Sequence, residues 1–198
     1  MDRIDPHPPA TSGRAGSEVD PATLARAQQG DPTAIERFVR HYERPVFAFL
    51  SRMAGRGPHV EDLAQEVFLR AYRALPTFER RENTRVSTWL FSIAWRLCID
   101  QSRKPRPPLI PVETVPLRSL ECPDRDHRRS RIALALEFAT GELPPEQRAV
   151  FVLAECHGLT TAEIAHVTVT SRTTVKTRLF RARARLRRSL QTIWEEER

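Results

Sequence analysis

The sequence predicts an all-α protein: two small helical domains joined by a Pro-rich linker, the second domain containing a helix-turn-helix. Three observations carry this. Apolar residues recur at steps of three and four from Asp20 to Lys104, and again from Arg128 almost to the end. That is the period of a helix with one buried face. No run of alternating strand residues interrupts either stretch. Between them, Lys104 to Asp126 holds six prolines in 23 residues, which no helix survives. The expected organisation is a disordered tail over 1–19, a first domain over 20–104, a flexible linker over 105–127 and a second domain over 128–198.

The tail is rich in Pro, Gly, Ser and charge, and has no apolar stretch of the kind a signal peptide needs. The first helix is signalled by "DPATLARAQQG": Asp20 at the N-cap, Pro21 at the first helical position and Gly30 past the end. "DPTAIERFVRHYERPVFAFLSRMAG" repeats the signal at Asp31 and Pro32. Ile35, Phe38, Val39 and Tyr42 lie on one stripe there, and Pro45 predicts a kink. In "HVEDLAQEVFLRAYRAL", Val60, Leu63, Val67 and Ala71 share the apolar face, while Asp62, Gln65, Glu66, Leu69 and Arg70 occupy the other. A loop around "PTFERRENT" leads to "RVSTWLFSIAWRLCIDQSRK", where Trp89, Leu90, Ile93 and Leu97 form a stripe.

Past the linker, "LPPEQRAVFVLAECHGL" reads as a helix that starts at its prolines and stops at Gly158. "TTAEIAHV" places Thr160 three residues before Glu163, a capping-box spacing. A short break follows, then a long basic helix with Ser171 as its N-cap. Short helix, tight turn, basic helix is the helix-turn-helix order.

The basic helix poses a physical problem. Ser171 to Arg188 carries eight Lys or Arg and no acid. Like charges at i,i+4 each cost about 0.2–0.5 kcal/mol, so a polyanion outside the protein is the natural compensation. The chain as a whole has a net charge of +7 and a pI near 10.3, which agrees. Val175, Leu179, Ala182 and Leu186 form the buried stripe, and the opposite face presents Thr173, Lys176, Thr177, Phe180 and Arg181. Such groups reach base edges and thymine methyls, with flanking arginines on phosphates. A merely solubilising helix would mix both signs and would not need an exposed Phe180.

Other chemistry is poorly supported. Cys98, Cys122 and Cys156 are few, odd in number and far apart, which suits a reducing, cytoplasmic location without disulfides. No apolar run approaches the ~18 residues that would span a membrane. There is no carboxylate cluster, nucleophile–base pair or Gly-rich phosphate loop. His157 beside Cys156 cannot by itself supply the three or four ligands of a metal site, so a structural role is expected there. No enzyme activity and no cofactor are therefore expected.

Taken together, "EDLAQEVFLRAYRAL", "TWLFSIAWRLCIDQSRK" and the C-terminal "LPPEQRAVFVLAECHGLTTAEIA...TVKTRLFRARARL" resemble the bacterial RNA polymerase sigma factors of the extracytoplasmic-function group. The resemblance covers about residues 20–104 and 128–190 in order and spacing. It implies a promoter-recognition subunit. Its partners would be core RNA polymerase (β′ clamp helices and β flap), promoter DNA and a cognate anti-sigma factor. Asp62, Gln65, Glu66, Leu69 and Arg70 would dock on the β′ clamp helices. Phe78, Asn83, Arg85, Trp95, Arg96, Arg103 and Lys104 would open and hold the −10 element, since unstacked bases need aromatic and basic groups. Trp89 lies on the apolar stripe and is expected in the core. Ser171, Arg172, Thr173, Thr174, Lys176, Thr177, Phe180 and Arg181 would read the −35 element. The two elements lie roughly 50–55 Å apart at ~34 Å per turn, within the ~75 Å reach of an extended linker.

Three departures from the family pattern stand out. "FERREN" lacks the Gly usual soon after the position of Phe78. Val169 stands where the helix-turn-helix turn usually holds Gly, and a β-branched residue is poorly suited to positive φ. "TSRT" replaces the usual "VPVG" before the recognition helix, so a different promoter sequence is expected. The competing reading is a stand-alone helix-turn-helix regulator with a sensor or dimerisation half. It explains the basic helix but not the acidic-polar face coupled to an aromatic-basic helix.

Overall fold

The computed structural model describes residues 18–55, 57–79, 85–103 and 134–196. All regular structure among them is helical. The first domain consists of α1 (Pro21–Gln28), α2 (Pro32–Ala54), α3 (Pro58–Ala74) and α4 (Val86–Arg103), with a 3-10 turn at Leu75–Thr77 after α3. The second consists of α5 (134–141), α6 (Pro145–Phe151), α7 (Thr161–Thr168) and α8 (Arg172–Glu196). The linker lies outside the described residues.

Local chemistry starts these helices as the sequence predicts. The Asp20 carboxylate accepts from the Thr23 amide at 2.8 Å, and that of Asp31 from the Thr33 and Ala34 amides at 2.9 and 3.2 Å. Each bond satisfies a donor that the first helical turn leaves orphaned. Hydrogen bonds to the charged form hold both carboxyls below the usual range, through Thr23 at Asp20 and through Arg26 at Asp31. Thr160 and Glu163 close a reciprocal capping box, with the Thr160 amide donating to Glu163 at 2.7 Å. Ser171 caps α8 by accepting from the Thr174 amide at 3.1 Å.

Pro45 does not end α2, which runs unbroken from Pro32 to Ala54. Val46, Phe49 and Leu50, just beyond the proline, are all buried. Their packing outweighs the lost backbone bond.

Glu18 and Val19, at the end of the expected tail, are integral to the first domain. Val19 is buried, and its amide donates to the Tyr42 hydroxyl at 3.1 Å. The Glu18 carboxylate accepts from the Val86 amide at 2.9 Å, the Ser87 hydroxyl at 2.6 Å and the Tyr42 hydroxyl at 3.1 Å. It thus caps α4 from far along the chain.

Helix α4 is the centre of the molecule. It packs on α2 and α3 on one side and on α7 of the second domain on the other. Val86, Leu90, Phe91, Ala94, Trp95 and Leu97 are consequently all buried, a far wider surface than a single stripe. One apolar cluster runs through both domains, joining Phe49, Leu50 and Phe91 to Val152, Leu153, Ile164 and Val167. Helix α6 widens into a π-helical turn at Val152–Cys156, which the periodicity does not foreshadow. That turn sets Glu155 on the surface beside Arg183 of α8, at 2.5 Å, and His157 inside.

The helix-turn-helix turn keeps a left-handed residue even without glycine. Val169 has φ 51° and ψ 51° and is 73% exposed. The Thr170 amide reaches the Ala165 carbonyl at 3.0 Å and the Val169 amide that of His166 at 3.4 Å, a Schellman closure. A left-handed L-residue costs about 1–2 kcal/mol, and glycine loses about 0.5–1 kcal/mol more chain entropy on folding. Val169→Gly should therefore stabilise the chain by a net amount of about 0.5–1 kcal/mol. A raised urea midpoint at unchanged m-value is the expected result. An unchanged midpoint would show that the turn stores no strain.

Candidate nucleic-acid and protein interfaces

Three surfaces carry the residues singled out from the sequence. The first is α3. Its buried stripe of Val60, Leu63, Val67 and Ala71 fixes its rotation. Asp62, Gln65, Leu69 and Arg70 are exposed on the opposite side, and Glu66 is half-buried between them. Arg70 Nε donates to Glu66 Oε1 at 2.6 Å, an i,i+4 pair that orients both side chains. Leu69 is 49% exposed, and Tyr72, three residues on, is 57% exposed. The sequence reading misses Tyr72. Its signal is an aromatic residue off the buried stripe but within one turn of Leu69. Tyr72 and Arg70, on either side of the exposed Leu69, are of the residue types enriched at protein interfaces.

The second surface lies around the start of α4. The loop leading into it is anchored by α1. Gln28 Nε2 donates to the Phe78 carbonyl at 2.6 Å and to the Leu75 carbonyl at 3.2 Å. Gln28 is thus a positioning residue that no local pattern reveals. Phe78 is half-buried and packs on Trp89, ring centroids 4.5 Å apart and planes tilted by 34°. Of the two tryptophans, Trp95 departs from its expected place, while Trp89 packs against the core as expected. Trp95 is only 6% exposed and belongs to the core, so it presents no face to DNA here. Trp89 is half-buried beside Phe78. Six residues on a helix separate the two side chains by about 120°, so both reach the core and only Trp89 also reaches Phe78. Arg85 pairs with Glu18 at 3.3 Å and with Glu163 at 3.9 Å. Arg96 is exposed. Asn83 and Lys104 lie outside the described residues, as does the Arg103 side chain.

The third surface is α8. Val175, Ala182 and Leu186 are buried, with Leu179 half-buried. This turns Arg172, Thr173, Lys176, Thr177, Phe180 and Arg181 outward together with the capping Ser171, while Thr174 is half-buried at the edge. Phe180 is 74% exposed. The Thr177 hydroxyl donates back to the Thr173 carbonyl at 3.1 Å. Not every basic residue serves this face. Arg183 is committed to Glu155. Among the described residues there is no group of three or more His, Cys, Asp or Glu placed to hold a metal, and no helix long and apolar enough to cross a membrane.

Comparison with known proteins matches each of the two domains to a family. Residues 38–106 match the family Sigma-70 region 2, and residues 133–186 match Sigma-70, region 4. The RNA polymerase sigma-H factor of Pseudomonas aeruginosa is 30% identical over 190 residues, covering 90% of this chain and 97% of that protein. The ECF RNA polymerase sigma factor SigM of Mycobacterium tuberculosis is 33% identical over 173 residues, covering 86% of this chain and 84% of that protein. Among solved structures, CnrH in complex with the cytosolic domain of CnrY superposes with a TM-score of 0.62 at 26% identity, covering 86% of this chain and 96% of that one. RpoE from Bartonella quintana, solved with the anti-sigma factor NepR, shares the fold with a TM-score of 0.59 at 18% identity, covering 79% and 96%.

Proposed function

The chain belongs to the RNA polymerase sigma factors, in their extracytoplasmic-function group, and from that premise we propose that its three surfaces divide the work of promoter recognition. As a member of that group it binds core RNA polymerase and directs promoter-specific initiation. The α3 face of Asp62, Gln65, Glu66, Leu69 and Arg70, extended by Tyr72, docks on the β′ clamp helices, and the second domain reaches the β flap. Phe78, Asn83, Arg85, Arg96, Arg103 and Lys104 hold the opened −10 element. Trp89, stacked on Phe78, takes the aromatic role that the resemblance gives to Trp95. A platform of two aromatic rings suits an unstacked base, whose π-face stacks on aromatic side chains. Ser171, Arg172, Thr173, Thr174, Lys176, Thr177, Phe180 and Arg181 sit at the −35 major groove. The chain acts by positioning, the chemistry belonging to the polymerase, and works in the cytoplasm. A cognate anti-sigma factor, the kind of partner with which RpoE was solved, completes its regulation. A stand-alone regulator would have no use for a first domain that matches region 2.

The observation that carries this reading is the rotation of α8. Its buried stripe leaves Lys176, Phe180 and Arg181 on one outward face behind a closed helix-turn-helix turn. Arg188, about 10 Å further along the axis at 1.5 Å per residue, lies past the turn of helix that fits the groove floor. Arg181→Ala should relax preference at one or two −35 positions, since a bidentate base contact discriminates by about 1–3 kcal/mol. Arg188→Ala should at most lower affinity for all promoters alike and reduce the salt slope by about one. Selection from promoter variants by each mutant holoenzyme at two salt concentrations checks this. A changed base preference with Arg188→Ala and none with Arg181→Ala would mean that α8 is rotated differently in the groove.

A further inference from the structure

The −10 surface is built from two pieces of chain, and one segment holds both. The first piece ends at Phe78, just after the 3-10 turn, and the second begins at Arg85, just before α4. Gln28, the last residue of α1, donates through Nε2 to the Phe78 carbonyl at 2.6 Å and to the Leu75 carbonyl at 3.2 Å. Glu18, at the other end of the same segment, accepts from the Val86 amide at 2.9 Å and the Ser87 hydroxyl at 2.6 Å, and pairs with Arg85 at 3.3 Å.

Between these two anchors the segment is fixed along its length. The buried Tyr42 hydroxyl accepts from the Val19 amide at 3.1 Å and donates to Glu18 at 3.1 Å. Asp20 caps α1, and Leu24 and Ala27 bury its inner face. Arg26 Nε donates to Asp31, the cap of α2, at 2.8 Å. Helix α1 covers eight residues, so it is about 12 Å long at 1.5 Å per residue. A strut of set length therefore fixes where Phe78 stands relative to the first turn of α4.

The aromatic pair depends on that placement. Phe78 belongs to one anchored piece and Trp89, in the first turn of α4, to the other, with ring centroids 4.5 Å apart. Binding groups have to be held within about 0.5 Å of their productive geometry, and a platform held there in advance lowers the ordering cost of capturing a base. The Glu18 carboxylate also meets the positive end of the α4 dipole and orients the Arg85 guanidinium.

We propose that the segment Glu18–Gln28 is a strut that positions the −10 platform for promoter opening. Gln28 acts through Phe78, and Glu18 acts through Arg85 and the first turn of α4. Both are positioning residues, and neither has to touch DNA. This role rests on the assignment of Phe78, Trp89 and Arg85 to the −10 element.

The test follows opening of a duplex promoter with 2-aminopurine in its −10 element, by holoenzymes carrying full-length variants. The rate constant at saturating holoenzyme reports the platform, and the amplitude reports the folded, active fraction. Gln28→Met keeps the side chain's length and removes its donors. It should leave affinity for core polymerase unchanged and slow opening about tenfold, equal to ~1.4 kcal/mol, a loss of the size expected for two hydrogen bonds. Glu18→Gln keeps the shape and loses the charge, and should slow opening at least about threefold. Because Gln28 acts through Phe78, the effect of Gln28→Met should shrink to below about twofold in a Phe78→Ala background. A merely structural residue would lower the amplitude, spare the rate constant and add in full to Phe78→Ala. Wild-type rate constants in folded Gln28→Met and Glu18→Gln holoenzymes, full additivity with Phe78→Ala, or loss of helicity in both variants would each overturn the strut. Failure of the −10 assignment would look different: Phe78→Ala by itself would open the promoter at the wild-type rate.

Discussion

Reversing the charge at Asp62 and Glu66 together, to lysine, should abolish association with core polymerase while leaving helicity unchanged. Both residues stand opposite the buried stripe of Val60, Leu63, Val67 and Ala71, so neither substitution reaches the core. The fold loses the Glu66–Arg70 pair, both members of which are more than a third exposed. Exposed i,i+4 pairs of this kind contribute only about 0.3–0.5 kcal/mol. The interface loses far more. Asp62 and Glu66 flank Leu69, and losing one charged partner in a desolvated contact costs about 2–5 kcal/mol. Two reversals should therefore weaken binding by at least about a hundredfold, since 1.4 kcal/mol is a factor of ten. Co-purification with core polymerase and fluorescence titration measure it. Wild-type affinity in the double variant would remove α3 from the docking surface.

Acidification from pH 7 to pH 4 should cost the chain about 3 kcal/mol through His157, because a pKa difference of one between folded and unfolded chain is worth about 1.36 kcal/mol. Burial against Phe49 and Phe91 pushes its pKa down from 6.5 to about 4, with the positive charge of Arg52 acting in the same direction. The neutral ring is therefore what the folded state holds. Between these two values the unfolded chain binds a proton at His157 that the folded chain refuses, so stability falls as pH falls. The contribution is complete above about pH 6.5 and is lost progressively on the way down to about pH 4. Asp20 and Asp31, whose carboxyls are held below their ordinary value of 3.8, lose their contributions only at lower pH. His157→Phe keeps a ring in the same place without a titrating group. Urea unfolding of both proteins at several pH values should give curves that diverge below about pH 6.5. Parallel curves would mean that His157 is not held neutral by burial.

The parts of this protein that are legible in its sequence are those closed by contacts within three or four residues. Asp20, Asp31, Thr160 and Ser171 each cap the helix that follows them, because donor and acceptor are neighbours in the chain and no distant segment is needed. The rotations of α3 and α8 are legible for a related reason: each has one buried stripe, so its polar face is what remains. Family resemblance then assigns those faces their partners.

Tertiary structure decided what depends on residues far apart. Glu18 caps α4 across 68 positions, and Gln28 anchors the carbonyl of Phe78 across 50. No periodicity encodes either contact. Trp95 stands in a place other than the sequence predicts because α4 is covered from two sides. A helix between two layers buries most of its circumference, and its apolar pattern no longer says which aromatic faces the rim. Val169 keeps the left-handed turn although its side chain disfavours it, because the Schellman bonds to Ala165 and His166, and the packing of α7 and α8 on either side, outweigh a local cost of about 1–2 kcal/mol. The joining of the two domains is invisible in the sequence for the same reason. Phe49, Phe91 and His157 each read locally as ordinary helix residues, and only the fold brings their rings together.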